Sequence, residues 1–124
     1  MPQVLVDGAT LKCTHAGVLS LSGGNAKLSV DGKGAITAGM EVGLSFAMGK
    51  PGVIVPCPVK DPKSGAPTPC HIDAPATAGI SALLEVDAAG VLLDNAQGPA
   101  LNDSTGPAPW SVADAGQAAL SVDR

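Results

Sequence analysis

The chain is nearly devoid of aromatic side chains, with one Phe, one Trp and no Tyr in 124 residues. A core built on large rings is thereby excluded. Burial falls to Ala, Val and Leu, which remove less area each from water, at ~25 cal/mol per Å². Basic residues are also few: seven Lys and Arg stand against eleven Asp and Glu, for a net charge of -4. The seven are scattered, so the basic patch that nucleic acid or an anionic membrane surface requires is missing. Gly, Pro or Asp interrupts every apolar run well short of the ~20 residues of a transmembrane helix. Residues Met1 to Asp7 lack the basic region and apolar stretch of a secretory signal, so synthesis in the cytosol with reduced thiols is expected. Three Cys is an odd count and suits a disulfide framework poorly. No phosphate-binding loop, nucleophile elbow or His-Glu-x-x-His motif occurs.

What the chain does have is Gly and Pro, sixteen and eleven residues respectively. Such a content invites disorder, but a 45% hydrophobic fraction and a mean hydropathy of +0.29 argue for a folded domain. A core of small side chains calls for a staple or a partner. The length suits one domain over residues 1–124.

Short apolar alternation punctuated by turn residues predicts an all-β fold of hairpins. Val4–Val6 leads through Asp7-Gly8 into Ala9–Cys13, and Val18–Leu21 through Ser22-Gly23-Gly24-Asn25 into Ala26–Val30, followed by Asp31-Gly32. Leu83–Val86 meets Asp87-Ala88-Ala89-Gly90 and Val91–Leu93; Ser111–Ala113 meets Asp114-Ala115-Gly116 and Gln117–Val122. Residues 49–75 hold seven prolines and read as a long ordered loop. Pro75, Ala76, Ala78, Ile80 and Leu83 suggest a short helix within Asp73–Leu84. Trp110 either plugs the C-terminal segment onto the domain or contacts a partner. Asn102-Asp103-Ser104 matches a glycosylation sequon, to which no role is assigned without a secretory signal.

Five soft or borderline metal ligands occur: Cys13, His15, Cys57, Cys70 and His71. Zn²⁺ takes four such ligands tetrahedrally, and a filled set is structural. On an extended strand Cys13 and His15 would share a face, whereas His71 would point away from Cys70. Three readings stand at this point: a metal centre, buried cysteines acting as small hydrophobes, and a Cys57–Cys70 disulfide.

The segment Thr14-His15-Ala16-Gly17 through Val18–Glu41, with Ser22-Gly23-Gly24-Asn25, Asp31-Gly32-Lys33-Gly34-Ala35 and Ala38-Gly39-Met40-Glu41, resembles the PAAR repeat. It departs from that pattern in Ala16 for Gly, Asp31 for Asn, Gly34 for Pro, and Met40-Glu41 for Asp. Gly8–Cys13 is similar to the start of PAAR-like proteins. The resemblance covers about residues 4–71, leaving 79–124 as additional hairpins and a C-terminal segment. It implies a small cone-shaped domain of short β-hairpins with long Pro/Gly loops, stapled by one zinc ion per chain. His15 would be a ligand from the His-Gly-Gly position and Cys13 from the N-terminal motif. Cys57 and Cys70 would be the later ligands, with His71 able to replace one of them. The implied function is that of a tip that caps and sharpens the trimeric spike of a contractile injection system, such as a type VI secretion system or phage tail. Its partners would be a trimeric VgrG-like spike, one copy per spike, and transiently a target membrane. The chain would be made in the bacterial cytoplasm without a signal peptide and delivered outside the cell. Two rivals follow from the residues: a free-standing zinc-stabilised structural or adhesion module, and a small zinc hydrolase. The hydrolase is disfavoured because a catalytic zinc keeps a position open, whereas five ligands suggest a filled site.

Overall fold

The computed structural model describes residues 2–30, 32–47, 49–50, 52–86, 88–102, 104, 106–117 and 120–121. The chain is all-β, with no helix among the described residues. Among the described residues eleven strands follow one another: β1 (Thr10–Lys12), β2 (Val18–Ser20), β3 (Asn25–Val30), β4 (Lys33–Ala35), β5 (Val53–Val55), β6 (Cys70–His71), β7 (Ala78–Val86), β8 (Ala89–Gly98), β9 (Leu101–Asn102), β10 (Gly106–Pro107) and β11 (Trp110–Asp114). They form an antiparallel six-stranded sheet in the order β5-β2-β1-β11-β8-β7, a three-stranded sheet β10-β9-β6 and the pair β3-β4.

Two of the anticipated hairpins form. β3 pairs with β4 across the turn containing Gly32, and β7 pairs with β8, with Val86 opposite Ala89. The second turn is tighter than Asp87–Gly90; Ala88 adopts a φ of 66°, and Asp87 lies outside the described residues.

Three other hairpins are replaced by longer-range pairings. Val4–Val6 does not fold back on Ala9–Cys13. Val6 carries only a tight turn, its carbonyl accepting the Ala9 N–H at 2.9 Å. The segment instead threads between β4 and β8, with Val4 bridging Leu93 and Val6 bridging Ala35. Its three residues are all fully buried, as expected of a strand covered on both faces. Residues 22–24 join two sheets rather than two paired strands, because β2 already lies between β1 and β5. Here Gly24 approaches Gly34 so closely that a Cβ on Gly24 would sit 2.1 Å from the Gly34 carbonyl oxygen. Likewise, β11 does not turn back onto residues 117–122 but runs between β1 and β8. Ser121 bridges Gln3 instead, and Ala118, Ala119 and Val122 lie outside the described residues.

The helix expected within Asp73–Leu84 is a strand from Ala78 onward. Gly79 has a φ of +75°, and a Cβ there would meet Ala96 Cα at 2.2 Å. The spacing of Ile80 and Leu83 does not mark a core face, because both side chains are exposed.

Trp110 and Phe46, both fully buried, belong to the larger of two core clusters, together with Leu5, Leu11, Leu19 and Ile36. Trp110 thus packs inward. The carboxylate of Glu41 is also fully buried; it accepts the Gly39 N–H at 2.9 Å and the Ala76 N–H at 2.8 Å, tying residues 39–41 to the approach to β7.

Candidate metal centre

Four side chains from three separate stretches of chain converge inside the larger core cluster. The donor atoms of Cys13, His15, Cys57 and Cys70 all lie within 4.8 Å of one another. The three thiols are buried and His15 is half-buried.

Cys13 and His15 are brought together by a turn, not by a shared strand face. β1 and β2 are antiparallel neighbours with Lys12 opposite Val18, and residues 13–17 make the connection. Cys13 donates its N–H to the Gly17 carbonyl at 2.9 Å, and Ala16 donates to the Cys13 carbonyl at 3.2 Å. Ala16 has a φ of 72°, a conformation that suits glycine better than alanine. It is the position where the PAAR pattern carries glycine. Gly17 is constrained by space: a Cβ would fall 2.9 Å from Cys13 Sγ and 3.2 Å from Cys57 Cα.

Cys57 and Cys70 are positioned by the main chain of Phe46. The Cys57 N–H donates to the Phe46 carbonyl at 2.9 Å, and the Phe46 N–H donates to the Cys70 carbonyl at 3.0 Å. Cys70 opens β6 opposite Asn102 of β9. His71, next along that strand, bridges Ser45, pairs with Leu101 and is not part of the cluster. The alternation of side chains along an extended strand sends it away from Cys70.

Two of the donor separations match those around a tetrahedral ion. Zn–S bonds of ~2.3 Å and Zn–N bonds of ~2.05 Å put two sulfurs about 3.8 Å apart and a nitrogen about 3.6 Å from a sulfur. Cys57 Sγ lies 3.7 Å from Cys70 Sγ, and His15 Nδ1 lies 3.4 Å from Cys70 Sγ. No disulfide links them: all three cysteines are free, and 3.7 Å far exceeds the ~2.05 Å of a bond.

The surroundings also suit thiolates. The sulfurs of Cys13 and Cys70 each accept an N–H donor, which distinguishes the cluster from thiols packed merely as hydrophobes. The Gly17 N–H donates to Cys13 Sγ at 3.2 Å, and Asn102 Nδ2–H donates to Cys70 Sγ at 3.5 Å while also holding the Thr68 carbonyl at 2.7 Å. Burial alone would raise the Cys57 thiol, but backbone hydrogen bonds from Val59 and Cys70, with help from the Cys70 and Cys13 thiols, bring it below its usual value. Cys70 goes the other way. Burial, with the neighbouring Cys57 and Cys13, pushes it up to about 12 against the lowering effect of Asn102. The two neighbouring thiols are thus shifted in opposite directions, and a divalent cation would favour deprotonation of both. Donors that orient and charge-balance ligands are a recurring feature of metal sites.

The sequence singled out five candidate ligands, of which the structure brings together Cys13, His15, Cys57 and Cys70 and not His71, but missed these donors. Asn102 drew notice only as part of a sequon, and no local pattern ties it to Cys70. Gly17 did have a signal, as the last residue of the His-Ala-Gly motif. Among the described residues no helix is long and apolar enough to cross a membrane. Compared with known proteins, the chain matches no family model, no curated protein and no solved structure.

Proposed function

We propose that this chain is a zinc-stabilised tip that caps the trimeric spike of a contractile injection system, acting as a structural part and not as an enzyme. The observation that carries the reading is the convergence of Cys13, His15, Cys57 and Cys70, the ligands expected from the resemblance to PAAR-like proteins. Three thiolates and one imidazole are a donor set suited to Zn²⁺, and four protein ligands complete a structural site. Structural zinc contributes on the order of 10 kcal/mol to folding. That would stiffen Pro- and Gly-rich loops into a cone apex, where small side chains bury too little area to do so. The six-stranded sheet ends in two edges bearing exposed apolar side chains, Ile54 and Val55 on β5 and Ile80 and Leu83 on β7. Such edges suit strand addition to the blunt end of a β-helical spike. In this reading one copy is made in the bacterial cytoplasm, docks on each VgrG-like trimer and meets the target membrane transiently.

The test is co-expression with the trimeric spike protein encoded in the same genome, followed by affinity capture and native mass spectrometry. One chain bound per trimer is the expected result. A stable monomer that ignores the spike would favour a free-standing β-rich structural or adhesion module.

A further inference from the structure

An ion held by three buried thiols needs a way in. A cavity of about 500 Å³, open to solvent on one side, is walled by Ala47, Val59, Pro56, Pro58 and Pro69, with Cys57 among its lining residues. The other thiols are less accessible: Cys70 is 0% exposed and Cys13 4%, against 7% for Cys57. The turn carrying His15 is tied by the Cys13–Gly17 hydrogen bond and at Gly17 packs against Cys57 with no space for a Cβ, while His15 itself is half-buried.

We infer that this proline-walled cavity is the port through which a divalent cation reaches and leaves the centre, with Cys57 as the first ligand met. The inference rests on the metal-centre reading. Cys57 would be the first sulfur to meet an ion entering here, Cys13, Cys70 and His15 would complete the set, and the thiol protons would pass to solvent. Pro56, Pro58 and Pro69 carry no N–H and have a fixed φ, so these wall positions cannot donate to a closing ladder.

Two measurements test it. The first follows zinc removal from the loaded protein by a chromogenic chelator, in the unsubstituted chain and in Ala47→Phe, Thr14→Phe and Thr77→Phe. Ala47→Phe fills the cavity, Thr14→Phe adds the same bulk beside His15, and Thr77→Phe adds it in a different cavity. Ala47→Phe is expected to slow release several-fold with zinc stoichiometry unchanged, and the other two to leave it as it was. Slowing by Thr14→Phe alone, or by none of the three, overturns the port. The second measurement treats the unsubstituted, metal-free chain briefly with N-ethylmaleimide and maps the adducts by mass spectrometry. Cys57 is expected to be alkylated first, and first reaction at Cys13 or Cys70 overturns the inference. Because alkylation needs no metal, a chain that binds no zinc would defeat the metal reading while leaving the port's own test intact.

Discussion

Gly17 donates its backbone N–H to Cys13 Sγ across 3.2 Å, and the same glycine has no room for a side chain, since a Cβ would lie 2.9 Å from that sulfur. One residue thus supplies a hydrogen bond and a close approach. Gly17→Ala deletes no ligand, yet the added methyl must displace Cys13 Sγ or the Cys57 backbone. Overpacking of this kind costs about 1–3 kcal/mol. The expected outcome is a weaker zinc affinity in competition titration together with a lowered denaturant midpoint. Unchanged affinity would show that the turn is not so tightly fitted.

Asn102 acts one layer further out. Asn102→Leu keeps the approximate volume but removes the donor to Cys70 Sγ and to the Thr68 carbonyl. Loss of a partner to a metal ligand typically lowers affinity by about 10–100-fold. The same loss is expected here, measured by chelator competition, with one zinc still bound at saturation.

The acid–base behaviour should separate the two forms of the protein. Without metal, burial holds the Cys70 thiol up at about 12, above its ordinary value of 9.0. The folded chain therefore keeps a proton that the unfolded chain releases. Stability from this group is intact below pH 9 and is lost as pH climbs toward 12. Metal binding requires the thiols deprotonated, so affinity falls as pH falls. Denaturant midpoints should decline on the alkaline side for the metal-free chain and on the acid side for the loaded chain. Parallel profiles would contradict a shared thiol site.

The five ligand candidates are expected to divide unequally. Cys13→Ser, Cys57→Ser and Cys70→Ser should each lose zinc and the stability it confers, and His15→Ala should bind zinc much more weakly. His71→Ala should keep both properties, because His71 pairs along β6 outside the cluster. Circular dichroism melts with zinc quantification would show the division.

Much of the site was legible because ligand chemistry is local to a residue type. A chain with only five soft ligands offers few ways to fill a tetrahedral set. His71 was kept as a fifth candidate, although alternation along an extended segment points it away from Cys70, and the structure leaves it outside the cluster. How Cys13 and His15 meet was not legible: the two-residue spacing suits both a strand and a turn, and the turn is selected by pairing of β1 with β2. For the fold, β3-β4 and β7-β8 were readable as adjacent strands with short turns. Val4–Val6 and β11 were not, because their partners lie far along the chain and no local pattern names them. Ile80 and Leu83 mimicked a helical stripe while facing solvent.

The most direct measurement is the metal content of the native protein purified without chelators, by inductively coupled plasma mass spectrometry, alongside its unfolding curve before and after stripping. One zinc per chain is expected, with the denaturant midpoint markedly lowered once the metal is removed and regained when zinc is restored. A chain that carries no metal and unfolds cooperatively at the same midpoint regardless would contradict the account.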